Sequence, residues 1–373
     1  MNIAIIGTRG IPNYYGGFEQ CAEYLSVGLV RKGHKVTVYN SHAHPYKKSK
    51  WRGVHIIHCR DPENKIGTIG QFIYDFNCIR DLGKRKYDIV LQLGYTSSSV
   101  WGRLMPKKTI VTTNMDGLEW KRSKYSKEVK KFLLYAEKLA VKFSDYLISD
   151  SIGIQTYLNE KYKVKSTFIP YGANLVEEVN AITLEIYNLK TFSYDLIIAR
   201  LEPENNIETI LDGFEISGVK RKILVVGRHT NTFGEYLKEK FKNHSNIIFA
   251  GGIYDINKLN DLRHFANLYF HGHTVGGTNP SLLEAMASNS YICAHKNQFN
   301  ASVLDNNALY FENSENIASI LQMKIDSKVR ELSISNNRKK IASVYSWAGI
   351  IDSYEKHFEE IINNKIYQDN INA

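Results

Sequence analysis

Short apolar runs recur along the chain with amphipathic stretches between them. Runs at 2–6, 35–39, 54–58, 88–93, 109–113 and 146–149 read as buried strands, and stretches at about 17–32, 68–82 and 128–143 carry apolar residues at helical spacing. A second series follows, with strands at 194–199, 222–227, 247–250, 268–271, 291–294 and 308–311 and helices at 206–217, 233–243, 256–265 and 280–288. Strand–helix alternation of this kind predicts an α/β fold of parallel sheets covered by helices. Pro170, Gly172 and a mixed segment interrupt the alternation near 172–192, and the polar stretch from about 326 is helical, with Trp347 at a helix junction. The expected organisation is a doubly wound domain over 1–175, a second over 190–345, and a helical segment at 346–373 packing back towards the first. In each domain the ligand crevice belongs at the carboxyl ends of the strands.

A chain of 373 residues exceeds what one core usually covers, which fits two domains. Cys21, Cys59, Cys78 and Cys293 are widely spaced and form no Cys-x-x-Cys pair, so they read as reduced core residues, neither a metal site nor a disulfide frame. No apolar run approaches the roughly 18 residues that cross a bilayer, and a chain opening on a strand suggests no signal peptide. The expected location is cytoplasmic, peripheral on the inner face of the cell membrane.

Charge changes the picture. Residues 1–174 hold 28 Lys and Arg against 14 Asp and Glu, whereas the remainder carries a net −4 of the overall +10. The basic clusters are Lys47, Lys48, Lys50 and Arg52; Lys84, Arg85 and Lys86; and Lys121, Arg122, Lys124, Lys127, Lys130 and Lys131. Over 128–143, Phe132, Tyr135, Leu139 and Phe143 recur at helical spacing while Lys127, Lys131, Lys138 and Lys142 take another face. That pattern fits an anionic leaflet or a pyrophosphate-bearing lipid, and equally a solvated surface helix. Nucleic acid is the poorer explanation and is not expected as a partner, since no recognition module or aromatic-basic repeat appears.

The richest segment is 271–286, His-Gly-His-Thr-Val-Gly-Gly-Thr-Asn-Pro-Ser-Leu-Leu-Glu-Ala-Met, where a glycine loop follows a strand and runs into a helix. Gly276 and Gly277 let backbone N–H groups approach a ligand. Thr278 or Asn279 can cap, Pro280 and Ser281 suit a first turn, and the helix N-terminus favours a phosphate. Glu284 follows one turn in, expected to point at the same pocket. A matching loop at 7–17 ends in Gly16 and Gly17 before the first helix. Its Gly7-Thr8-Arg9-Gly10 turn does not fit Gly-x-Gly-x-x-Gly, which argues against an oxidoreductase.

Arg200 follows a strand and precedes Leu201-Glu202-Pro203-Glu204-Asn205-Asn206, so it suits either a diphosphate or a salt bridge with Glu202 or Glu204. Asp116, in Thr-Thr-Asn-Met-Asp-Gly-Leu-Glu-Trp with Asn114 and Glu119, either accepts or orients a proton on an attacking hydroxyl or forms an Asx-turn with Gly117. His271 and His273 lack a third ligand, and no Asp-x-Asp pair holds a divalent cation. The expected site is therefore metal-independent, without a cofactor, and lined by His273. Tyr14, Tyr15 and Tyr95 are candidates for stacking on an acceptor.

Gly16-Gly17 at the first helix, Ala-Arg-Leu-Glu-Pro-Glu-Asn-Asn at 199–206 and Gly-Gly-Thr-Asn-Pro-Ser-Leu-Leu-Glu-Ala-Met at 276–286 together resemble the GT-B glycosyltransferases of family 4. With Gly-Thr-Arg-Gly-Ile-Pro and Tyr-Gly-Gly-Phe-Glu, the chain resembles their bacterial rhamnosyltransferase branch. The resemblance implies two Rossmann-like domains facing a central cleft, the first holding the acceptor and the second a sugar nucleotide. It implies that Glu284 bonds the ribose, Arg200 neutralises the donor diphosphate, Gly16 and Gly17 approach it, and Asp116 lies near the reacting sugar. Asn205, His273, Gly276, Gly277, Thr278, Asn279 and Ser281 complete the implied donor set. Two positions depart from the pattern: Gly276 stands where the first glutamate of the paired motif falls, and Asn205 where a lysine usually partners the arginine. The implied reaction is retaining transfer of L-rhamnose from dTDP-L-rhamnose onto a lipid-pyrophosphate-linked saccharide of a bacterial capsule or O-antigen. A UDP- or GDP-sugar donor and a silent sugar-nucleotide-binding subunit are the alternatives.

Overall fold

The computed structural model describes residues 1–122 and 125–371, with backbone alone over 368–371. Lys124 of the third basic cluster lies outside the described residues. The chain forms two units.

The first unit begins with β1 (Asn2–Ile6), α1 (Gly17–Arg31), β2 (Lys35–Ser41), β3 (Lys50–Trp51), β4 (Val54–Cys59), α2 (Glu63–Ile66), α3 (Ile69–Leu82), β5 (Ile89–Leu93) and β6 (Ile110–Asn114). It continues with α4 (Lys127–Phe143), β7 (Tyr146–Ser149), α5 (Ile152–Tyr162) and β8 (Thr167–Phe168). Its sheet runs β3-β4-β2-β1-β5-β6-β7-β8, parallel except for the antiparallel edge strand β3. The near-continuous apolar strands Ile3–Ile6 and Ile89–Leu93 are buried on both faces, as helices on either side require.

The second unit holds β9 (Tyr194–Ile198), α6 (Ile207–Ser217), β10 (Lys222–Val226), α7 (Thr232–Lys240), β11 (Ile247–Gly251), α8 (Ile256–His264) and β12 (Leu268–His271). After these come α9 (Pro280–Ala287), β13 (Ile292–His295), α10 (Gln298–Leu304), β14 (Leu309–Phe311), α11 (Ser314–Gln322) and α12 (Ser327–Val344). Its sheet is wholly parallel in the order β11-β10-β9-β12-β13-β14. This is the doubly wound order, and the strand sequence reverses between β9 and β12. The crevice outside their carboxyl ends is therefore the expected ligand site; β1 and β5 occupy the same place in the first sheet.

The last helix, α13 (Trp347–Ile371), belongs to the first unit. Trp347 stacks on Tyr24 at 4.6 Å, and a Cβ on Gly28 of α1 would stand 2.3 Å from Ile351. Glu355 accepts from Lys32 at 2.7 Å, and His357 lies between the hydroxyls of Thr112 (2.9 Å) and Thr167 (3.2 Å). Lys121, Arg122 and Tyr125, which fall between β6 and α4, cluster with the second unit.

Several elements have no counterpart in the apolar periodicity. β3 and β8 are two-residue strands too short to make a pattern, and α5 spreads its apolar residues around the helix. What fixes α5, α10 and α11 is capping: Ser151, Asn297 and Asn313 each accept from an N–H of the first turn. All four cysteines are buried free thiols.

Candidate functional site

In the second unit the loops after β9 and β12 are built against each other. A Cβ on Gly272 would stand 2.0 Å from the Asn205 carbonyl oxygen, so only glycine permits the approach. Asn206 Nδ2 donates to the Gly272 carbonyl at 2.8 Å, and Thr274 donates to the Glu204 carbonyl through its N–H (3.1 Å) and its hydroxyl (2.9 Å). Asn205 is buried, and its amide nitrogen donates to the Arg200 carbonyl at 2.7 Å. That amide therefore shapes the turn carrying Arg200 and is not presented to a ligand.

Arg200 itself is exposed, and among the described residues its guanidinium has no ion pair; neither Glu202 nor Glu204 takes it. Glu204 instead lies 3.7 Å from Arg122.

His271 and His273 stack with ring centroids 4.4 Å apart and 13° between planes. Both ring nitrogens of His271 and Nδ1 of His273 are buried with no hydrogen-bond partner among the described residues. Burial pushes both imidazoles down; His273, also near the Arg200 and Arg122 charges, falls to about 3, so it is neutral at any physiological pH. Its carbonyl accepts from Asn297 (3.0 Å) and Asn300 (3.1 Å), closing a small recess with Gly276, Gly277, Asn279 and Phe299.

Gly276 has φ +141°, a conformation that side chains resist, although a Cβ there would meet open space. The position where the resemblance expects a glutamate is thus built for glycine. Thr278 is buried, and Asn279 supplies the cap by accepting from the Ser281 N–H at 2.9 Å. Ser281 Oγ lies 2.8 Å from the Tyr269 hydroxyl.

Glu284 does not simply face the recess. Its Oε2 accepts from Arg263 Nη2 at 2.5 Å, and Arg263 is 1% exposed, the largest fully buried side chain. Arg263 gave no signal in the sequence because it sits in the last turn of α8, where a basic residue is ordinary, in a stretch with no phosphate-loop motif.

In the first unit, the loop after β1 passes close to β5. Gly7 (φ +86°) would place a Cβ 2.2 Å from the Leu93 carbonyl oxygen, and Gly10 (φ +124°) would place one 2.2 Å from the Asn40 side chain. Asn40 in turn accepts from the Ile11 N–H at 3.1 Å and donates to the Ile11 carbonyl at 2.8 Å. The Arg9 guanidinium is committed: it pairs with Glu63 at 2.7 Å and lies 3.9 Å over the Tyr15 ring. Gly16 is the N-cap of α1, extended and without a side-chain cap, so the first-turn N–H groups after Gly17 have no side-chain acceptor from that position. Glu19 in that turn accepts from the Arg9 N–H at 2.8 Å, and burial pushes its carboxyl up.

Asp116 stands just past β6, half-buried, at φ +38°. The Asx-turn is made by Asn114, whose Oδ1 accepts from the Asp116 N–H at 3.0 Å; Asp116 is its product and not its source. Tyr14 and Tyr15 are exposed, whereas Tyr95 is buried with its hydroxyl 3.5 Å from Glu137, which removes it as a stacking surface. Among the described residues no group of three or more His, Cys, Asp or Glu is placed to hold a metal ion.

Residues 1–174 match the family model described as a domain of unknown function, DUF1972. No curated protein sequence matches the chain. Among solved structures the chain is similar to sucrose-phosphate synthase from Thermosynechococcus elongatus, with a TM-score of 0.81 and 17% identity over 97% of this chain and 99% of that one. It is similar to a glycosyltransferase from Rickettsia africae, with a TM-score of 0.69 and 16% identity over 97% and 98% of the two chains. A third is Anabaena HepE in complex with UDP and glucose, with a TM-score of 0.73 and 14% identity over 96% and 99%. These likenesses define the fold: an α/β protein of two parallel-sheet domains in the GT-B class.

Proposed function

We propose that the chain is a glycosyltransferase that moves L-rhamnose from dTDP-L-rhamnose onto a lipid-pyrophosphate-linked saccharide of a bacterial surface polysaccharide. The observation that carries the reading is Arg200, exposed and without an ion-pair partner among the described residues, at the carboxyl end of β9 in the same locked loop pair as the glycine turn and the capped N-terminus of α9. A cation and backbone N–H groups aimed at one place suit a leaving diphosphate, whose charge grows as the glycosidic bond breaks.

In the proposed reaction the acceptor hydroxyl oxygen bonds to the anomeric carbon while the bond from that carbon to the diphosphate oxygen breaks. The hydroxyl proton passes to the departing phosphate on the same face, which retains configuration. Arg200 and the amides of Gly276, Gly277 and Thr278 hold the diphosphate. Glu284, set by Arg263, receives the ribose hydroxyls, and Asp116 orients the acceptor hydroxyl. His273, neutral beside Arg200, lines the donor site without adding charge. Asn205 supports Arg200 through its carbonyl.

A UDP-sugar donor is the second reading, favoured by the UDP and glucose in the Anabaena structure. The test is nucleotide release from dTDP-L-rhamnose against UDP- and GDP-sugars, with and without bacterial lipid-linked saccharide extract. Acceptor-dependent release from the dTDP donor alone supports the rhamnosyl reading; release from a UDP-sugar alone reassigns the donor. No release from any donor rejects transfer.

A further inference from the structure

The basic helix α4 does not stand alone on its face of the first unit. Ile66 at the end of α2 and Ile69 and Ile73 on α3 are all exposed, Ile69 by 67%, at the spacing that puts them on one side of the α2–α3 corner. On α4, Val129 and Tyr135 are exposed on either side of the half-buried Phe132, again on one stripe. The two stripes meet where Phe72 of α3 touches Phe132 of α4, with ring centroids 5.6 Å apart.

A 3-10 turn at Ser99–Leu104 locks the two helices together. Trp101 donates to the Phe72 carbonyl at 2.9 Å and packs on Phe76 at 4.9 Å, while Gly102 lies so close to Phe143 that a Cβ would stand 2.6 Å away. The apolar patch is thus carried on a braced layer and not on a loose loop.

Lysines border it. Lys65, Lys127, Lys131 and Lys138 are exposed, and the last three have no carboxylate partner among the described residues. The α2–α3 corner follows β4 and α4 follows β6, and both strands are parallel to the rest of the sheet. The patch therefore begins at the carboxyl-end edge, where the Gly7–Gly17 loop and Asp116 also lie.

We infer that this edge docks on an anionic bilayer, with Ile66, Ile69 and Ile73 entering the acyl boundary and the α4 lysines resting on lipid phosphates. Apolar side chains flanked on one side by the α4 lysines match a surface that is apolar inside and negative outside; among the described residues the carboxylates beside the patch are Glu128 and Glu63, the latter paired with Arg9. The inference rests on the reading of a lipid-linked acceptor, whose pyrophosphate would lie at the bilayer surface beside the crevice of this unit.

The test is cosedimentation of the full chain with vesicles of phosphatidylglycerol and phosphatidylcholine, compared with phosphatidylcholine alone. The variants are Ile66→Ser/Ile69→Ser/Ile73→Ser and Lys127→Glu/Lys131→Glu/Lys138→Glu. The unaltered chain should prefer the anionic vesicles; the isoleucine variant should bind roughly tenfold or more weakly, and the lysine variant should lose the preference. Both variants should keep the melting temperature, since the altered residues are exposed, and should release nucleotide normally with a soluble short-chain acceptor. Equal vesicle binding by the isoleucine variant would overturn the inference. So would a dimer that this variant converts to monomer, because a second copy would then cover the patch. Vesicle binding that behaves as expected in a chain that turns over no donor would leave the docking surface standing and reject the transferase reading.

Discussion

Arg263 of α8 donates to Glu284 of α9 at 2.5 Å from a position almost wholly inside the protein. The carboxylate proposed to hold the ribose is thereby tied to the scaffold of the second unit before any ligand arrives. Removing one partner of such a pair strands the other. Arg263→Ala and Glu284→Ala should each cost about 3–5 kcal/mol of stability, read by denaturant unfolding. Glu284→Gln, which keeps an acceptor for Arg263, should cost less and still weaken nucleotide binding.

Arg200 predicts the opposite pattern. Its guanidinium is exposed and unpaired among the described residues, so Arg200→Ala should leave the melting temperature unchanged. Turnover should fall by about 10²–10³, the scale lost with one preorganised charge donor. Initial rates of nucleotide release together with a thermal melt check both halves.

The contact between the two loops gives a backbone test. Gly272→Ala would drive a methyl into the Asn205 carbonyl, 2.0 Å away, and would push the Arg200 loop off its partner. The expected cost is about 1–3 kcal/mol, with donor affinity falling more than stability alone explains. Gly276→Ala, which meets open space but carries φ +141°, should cost about 1–2 kcal/mol through the backbone alone.

His357 gives a pH signature. Burial between Thr112 and Thr167 lowers it to about 4, against about 6.5 when unfolded. As pH falls below 6.5 the unfolded chain takes up this proton and the folded chain does not, so stability is full above that pH and declines down to about 4. The slope should be about 1.4 kcal/mol per pH unit for this one proton. His357→Asn should flatten unfolding free energy against pH by that amount; an unchanged slope would show that other groups set it.

The strands and most long helices were legible because their buried faces repeat at fixed periods, as in Ile89–Leu93 and the α4 stripe. The glycine loops were legible as chemistry, since only a few residue types allow such turns. Arg263 was not, because the partner that explains a buried guanidinium lies 21 residues away on another helix. Nor was the fate of Tyr95: its ring looks the same in sequence as Tyr14 and Tyr15, and only the packing around Glu137 separates them. Asn205 shows the same limit, since an amide facing a ligand and an amide bracing a turn are spelled identically.

The family match ends at residue 174, yet the unit that holds most of it is completed by α13, drawn from the far end of the sequence. A gene fragment cut at the family boundary would lack the tryptophan that stacks on Tyr24, the isoleucine that fills the notch at Gly28 and the tyrosine bonded to Asn114. The family match and the folded unit thus have different borders on this chain. A rearranged gene that places α13 ahead of β1 would bring that helix next to the rest of the first unit in sequence, and it is the natural starting point for producing that half by itself.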